Sequence, residues 1–216
     1  MSEDRATPGL PGPLPAGERL LWQGSPSWKA LALRTFHGRA IAIYFALLLG
    51  WVAVDSIGGG ASWGEVSARL AWFVALAVGG LGLVLLFAWL TARTTVYTVT
   101  DRRVVLSYGI AMPMSLNLPF ARVAAAGVKL FKDGTADIPL QTAGGDKIAY
   151  LMLWPHARPW RISRPEPTLR AVPEGARVAS ALARALAAAA DQPMPAVTVQ
   201  AAPSGKAASL PTAAAA

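Results

Sequence analysis

The chain has 216 residues, no cysteine, 54% hydrophobic residues and a formal net charge of +8. This length allows one or two domains, and the lack of thiols excludes a disulfide framework, a thiolate metal site and a cysteine nucleophile. The charge is uneven: residues 91–190 carry thirteen Lys and Arg against six Asp and Glu, whereas residues 1–39 carry five against three. With no RNA- or DNA-binding motif in the chain, the excess reads as membrane topology and attraction to anionic headgroups rather than nucleic-acid recognition.

Residues 1–17, MSEDRATPGLPGPLPAG, are rich in Pro and Gly and lack the basic and apolar regions of a signal peptide; they read as a flexible, uncleaved start. Residues 18–39 mix Leu20, Leu21, Trp22, Trp28, Leu31, Leu33 and Phe36 with Lys29, Arg34 and Arg39. With Ser27 as N-cap, this stretch fits an amphipathic helix lying along a membrane surface, or equally a strand or helix packed on a soluble domain.

Two apolar runs follow. AIAIYFALLLGWVAV begins at Ala40 and stops at Asp55, and LAWFVALAVGGLGLVLLFAWL spans Leu70 to Leu90 without a charge. At about 1.5 Å of rise per residue the second covers roughly 30 Å, the hydrocarbon thickness of a bilayer. Trp72 and Trp89 stand near its ends, where indoles favour the headgroup level. The runs predict a transmembrane hairpin over 40–92, with spans at about 40–60 and 70–90. Lys29, Arg34, Arg39, Arg93, Arg102 and Arg103 flank it, against Arg69 alone in the connecting loop. The positive-inside rule then predicts cytoplasmic termini for a multi-pass protein of the bacterial inner, cytoplasmic or intracytoplasmic membrane. Ala71, Ala75 and Gly79 recur every four residues and form a candidate helix-packing face, for the first span or for a helix of another protein.

After Leu90 the period changes to alternation. TTVYTVT, a turn at Asp101 and Arg102, and RVVLSYG predict a hairpin; MSLNLPF, AAAGVKLF, ADIPLQT and KIAYLMLW predict further antiparallel strands. Five prolines between 155 and 173 make HARPWRISRPEPTLRAVP an extended basic loop. Val178, Leu182 and Leu186 form the apolar stripe of a terminal helix, and the Ala- and Pro-rich residues 191–216 read as a disordered tail. The predicted fold is a membrane α-helical hairpin plus a β-rich domain over 93–190. That domain is an antiparallel sheet or half-barrel of about seven strands, closed by a C-terminal helix, which is the pleckstrin-homology (PH) architecture.

The stretch TTVYTVTDRRVVLSYG resembles the opening hairpin of bacterial PH-like domains that follow membrane hairpins. Together with PLPAGERLLWQGSPSW, TFHGRAIAIYFALLLGW and RPWRISRPEPTLRAVPEG, the chain over roughly 13–190 resembles the PuhB family of photosynthetic-complex assembly proteins of purple bacteria. The resemblance implies a non-enzymatic factor that helps assemble the reaction centre with its core light-harvesting (LH1) antenna. It implies no residue-level mechanism.

Chemistry-bearing residues are sparse. His37 precedes the first span and His156 lies in the Pro-rich loop, neither with a metal-ligand partner at useful spacing. His37 reads as an interfacial polar residue rather than a pigment ligand. Asp133 and Asp137 flank Gly134 and read as a solvated turn rather than a catalytic pair. No phosphate loop or nucleophile elbow is present, so no catalytic residue, metal or cofactor is expected. Two roles remain open. One is a scaffold for reaction-centre or antenna subunits. The other is a lipid- or partner-binding module acting through a basic cluster of Arg102, Arg103, Arg158, Arg161, Arg164 and Arg170. Homodimerisation through a sheet edge or the Ala71/Ala75/Gly79 face is also open.

Overall fold

The computed structural model describes residues 10, 12–143, 150–158 and 165–190. An apolar helical hairpin is inserted between the first and second strands of a β-domain, so the strand before the hairpin and the strand after it lie side by side.

The stretch read as one amphipathic segment divides in two. Leu20–Gly24 forms β1 and pairs antiparallel with β2 (Val96–Thr100), placing Trp22 opposite Val99. Trp28–Ala30 forms a short helix, α1, that continues as a π-helical turn over Leu31–Thr35. Its Ala30, Leu31 and Ala32 are buried against Ala88, Ala92 and Ala171. Of the two readings open for this stretch, the structure takes the strand and helix packed on the domain and not the helix lying along a membrane surface: its apolar groups are used for strand pairing and for wedging the hairpin onto the domain.

Helix α2 (Gly38–Gly58) and helix α3 (Trp63–Thr94) are both long and apolar enough to cross a membrane, and almost none of either is covered by the rest of the chain. Helix α3 starts seven residues before the charge-free run because Ser62 and Glu65 form a reciprocal capping box, in which the Ser62 amide donates to Glu65 Oε2 at 2.9 Å. This satisfies amides that a helix start leaves unpaired. At 32 residues α3 is about 48 Å long, more than a hydrocarbon core needs. The surplus enters the domain, where Ala88, Thr91 and Ala92 are buried.

Helix α2 packs on the α3 face containing Ala77 and Gly80, where Phe45 lies so close that a Cβ on Gly80 would stand 3.3 Å from its ring. Ala71, Ala75 and Gly79 are exposed, with open space around Gly79. The expectation that this small-residue face seats the first helix is therefore corrected: the apolar contact is set by the 3–4 spacing of Val66, Phe73, Ala77, Gly80 and Val84, in which Phe73 and Ala77 fall midway between members of the Ala/Gly stripe and so lie on the other side of the helix.

Only Thr95 separates α3 from β2. Strands β1, β2, β3 (Arg103–Tyr108) and β4 (Met114–Pro119) form one antiparallel sheet in that order. In the second sheet β7 (Ala136–Thr142) is central. Ala136 pairs with Leu130 of β6 (Lys129–Leu130) on one side and with Val172 of β8 (Thr168–Val172) on the other, while β5 (Val123–Ala126) continues the β6 side. The predicted strand AAAGVKLF is thus interrupted at Gly127, whose amide donates to Pro139 O at 2.9 Å.

Two further expectations change. Tyr150–Leu153 is a helical turn, α4, and not the end of a strand; residues 144–149 lie outside the described residues. Within the supposed Pro-rich loop, Thr168–Val172 is a fully buried strand. The prolines bracket β8 rather than breaking it, because Pro167 and Pro173 fall outside its ladder, where the missing amide is not required.

Helix α5 (Gly175–Ala190) closes the domain with Val178, Leu182 and Ala185 buried and Leu186 against them. They share one core with Tyr97, Val104, Leu106, Leu118, Ile138 and Leu169 from the two sheets. Gly175 permits the approach, since a Cβ there would lie 2.3 Å from the Ala136 Cβ. The architecture is that expected: an apolar hairpin and a PH-like antiparallel domain capped by a helix.

Candidate functional site

Of the six arginines proposed as one basic cluster, the four among the described residues occupy two different places. Arg102 and Arg103 follow β2 at the tip of the first β-hairpin, a five-residue strand or about 16 Å beyond the end of α3. Arg158 and Arg170 line a separate cavity that also includes Arg34, four residues before α2. Arg161 and Arg164 lie outside the described residues.

At the far tip, a cavity of about 500 Å³ is lined by Arg19, Leu21, Asp101, Arg102, Arg177 and Arg184. Its charges are partly matched. Asp101 accepts the Arg19 amide at 3.0 Å, and Arg177 donates to Glu174 at 2.9 Å. Arg103 is committed elsewhere, in a bidentate pair with Glu18 at 2.8 and 3.0 Å. This geometry fixes the strand leading into β1 and leaves little of that guanidinium for a ligand.

At the hairpin end, a cavity of about 480 Å³ is lined by Arg34, Lys129, Phe131, Asp137, Arg158 and Arg170, with Pro139 and Thr168. The Arg34 guanidinium lies 3.7 Å from the Phe131 ring centroid and the Lys129 ammonium 5.4 Å from it, so both cations stand against one aromatic ring. Arg34 also donates to Asp133 at 3.0 Å and to the Thr135 hydroxyl. Hydrogen bonds from Thr135, then Arg34, hold the Asp133 carboxyl below its ordinary range. Asp137 accepts the Ala171 amide at 2.8 Å. The two aspartates flanking Gly134 therefore act as turn and strand anchors.

Arg170 is the buried member of the site. Its Nη2 donates to Ala157 O at 2.8 Å, and Nη1 is 3.9 Å from Asp137, but its Nε has no hydrogen-bond partner among the described residues. Ala171, next to it, has φ of 50° and marks the irregularity in the β7–β8 register. A non-glycine residue in the left-handed region is uncommon. The same residue accepts the Ser27 amide and packs on Leu31, tying β8 to the segment that enters the hairpin.

Behind this cavity stands His156, which is fully buried. Tyr97 Oη accepts the Arg170 amide at 3.1 Å, so its own proton is directed to His156 Nδ1 at 2.8 Å. That leaves the ring proton on Nε2, facing Thr95 Oγ1 at 3.2 Å. Burial, helped by the Arg170 charge, pushes the His156 pKa down to about 3, and burial pushes the Tyr97 hydroxyl up. Both ring nitrogens are occupied, so His156 links the α3–β2 junction to β8 and is no metal ligand. A lone His among prolines gave no sign of this. His37 sits at the turn into α2 with φ of 54°, its Nδ1 3.1 Å from Thr35 O.

Comparison with known proteins agrees with this architecture. The chain is 35% identical over 193 residues, covering 86% of it and 87% of the relative, to a Rhodobacter capsulatus protein described as an uncharacterized 23.7 kDa protein in the puhA 5′ region. No solved structure matches. The bacterial PH domain family matches residues 41–186, a range that begins inside α2 and ends inside α5. With most of the hairpin, every strand but β1 and most of the closing helix inside that range, the chain belongs to the bacterial PH domain family.

Proposed function

We propose that this protein is a non-enzymatic membrane scaffold for assembly of the photosynthetic reaction centre with its LH1 antenna. The observation that carries this reading is the relative described by its position 5′ of puhA, at 35% identity along most of both chains. It supports a photosynthesis-related gene context. The architecture supports the scaffold role: two helices are long and apolar enough to cross a membrane, and the wedge at Leu31 and the Tyr97–His156–Arg170 network hold the β-domain on its stem. In this reading the hairpin spans the inner membrane with both termini in the cytoplasm. Client helices have the exposed Ala71/Ala75/Gly79 face of α3 to pack on, as does a second copy of the chain.

The decisive experiment is deletion of the gene followed by whole-cell absorption spectroscopy. The expected result is loss or strong reduction of the reaction-centre and core-antenna bands, restored by the intact gene. Wild-type bands, and no photosynthetic subunit co-isolating with the purified protein, would sink the scaffold role. The second reading, a membrane-anchored module binding anionic lipid or another protein without a photosynthetic client, is favoured by the cationic cavity at the hairpin end.

A further inference from the structure

We infer that the cavity between Arg34, Lys129, Arg158 and Arg170 is a binding site for the phosphate of an anionic lipid headgroup in the leaflet at which the hairpin emerges. The inference rests on the reading that α2 and α3 span a membrane, and it deepens the second reading above by naming the site and its ligand.

Among the described residues, four cations and one carboxylate, Asp137, line the cavity. Asp133 and Glu166 each hold one guanidinium from outside the lining, Asp133 that of Arg34 and Glu166 that of Arg158, the latter at 2.7 Å. These pairs orient the guanidinium groups, and positive charge remains in excess. A guanidinium presents five N–H donors in a planar fork suited to phosphate oxygens. Arg170 is buried at 8% exposure and its Nε has no partner among the described residues, although an unsatisfied buried donor costs about 1–3 kcal/mol. A charged side chain held in this way, on the left-handed kink at Ala171, is poised for an anion rather than for packing.

Location selects lipid over a soluble phosphate. Arg34 lies on the segment that enters α2, and Leu31 beside it packs on the last turns of α3. The register of β2 with β3 sets Ser107 opposite Val96, so the loop after Tyr108 returns to the hairpin end. That loop exposes Ile110 and Met112, and Trp154, edge-on to Phe36, is also half exposed. Apolar and indole side chains at the same end of the domain as a cationic cavity are the chemistry of a headgroup layer, where each basic residue adds about 1 kcal/mol of attraction.

The test uses the full chain in detergent, titrated with dioctanoyl-phosphatidylglycerol, dioctanoyl-phosphatidylcholine and inorganic phosphate while thermal unfolding is followed. The expected result is saturable stabilisation by phosphatidylglycerol alone, with half-saturation moved roughly tenfold or more upward in the Lys129→Ala/Arg158→Ala variant. The far-tip variant Arg102→Ala/Arg184→Ala should match wild type. Equal stabilisation by inorganic phosphate, equal stabilisation by phosphatidylcholine, or an unchanged titration in Lys129→Ala/Arg158→Ala would each overturn the assignment. Carbonate extraction of the same membranes reports separately on the spanning hairpin: protein left in the pellet with no lipid response refutes the headgroup site alone, and release into the supernatant refutes the membrane reading beneath it.

Discussion

The two basic cavities both combine arginines with an aspartate and have nearly equal volumes, about 480 and 500 Å³, yet differ in how their arginines are held. At the far tip, Arg19 and Arg177 are largely exposed, with side chains 84% and 79% accessible, and their ion pairs are screened by water. Such pairs contribute about 0–1 kcal/mol. At the hairpin end, Arg34 stacks on Phe131, and Arg170 is buried beside a Tyr–His–Thr network that reaches the end of α3. A net charge therefore says little about a basic surface. Burial decides whether a guanidinium is a solvated decoration or a fixed part of the fold.

The comparison breaks most easily at Tyr97. Replacing it by Phe leaves the Arg170 amide and His156 Nδ1 without partners in a dry site, and the expected loss is about 3 kcal/mol in thermal or denaturant unfolding of the purified protein. A loss below about 0.5 kcal/mol would mean that the network does not hold the hairpin end together.

Next comes the hairpin that carries Arg34. Gly80→Leu drives a side chain into Phe45 and should cost about 1–3 kcal/mol, whereas Gly79→Leu meets open space and should leave unfolding unchanged. If both variants unfold alike, the assignment of the packing face is wrong. Should Gly79→Leu instead lower only antenna assembly or crosslinking between copies, the exposed stripe serves a partner helix.

Acidity sharpens the contrast more gently. Unfolded, His156 takes its proton near pH 6.5; folded, at about 3. Between these values the unfolded chain binds more protons, so stability is full above about pH 6.5 and declines as pH falls toward 3. The Asp133 carboxyl, held low, adds its own loss only below its ordinary value of 3.8, so unfolding followed from pH 7 to 4.5 isolates the imidazole. His156→Gln should flatten that slope, and a slope identical to wild type would place its origin elsewhere. The smallest effect is expected at the far tip, where Arg102→Ala should change stability by less than about 0.5 kcal/mol.

Much of this molecule was legible beforehand, for reasons that differ by region. The charge-free run of α3 is a local property, since length and apolarity alone specify it, and the S-x-x-E box at Ser62 was there to be read as its true start. The first β-hairpin follows from alternation and a turn at Asp101. Strand β8 was not legible, because its neighbours are prolines and its side chains, Arg170 included, are buried by contacts with β7 and α1 far away in sequence. For the same reason Arg34 and Lys129 were absent from the expected basic cluster: nothing local says that residues 95 positions apart share the Phe131 ring.

What the sequence determined by itself is therefore the inventory: two apolar helices, alternating strands, a closing amphipathic helix and an excess of positive charge, each specified by short-range periodicity. Only the tertiary structure decided that β1 joins the sheet across the hairpin, that α2 packs on Gly80 and not Gly79, that His156 is a buried link, and that Arg102 and Arg103 stand at one end of the domain while Arg158 and Arg170 stand at the other. These outcomes depend on long-range pairing and desolvation, which no local window contains.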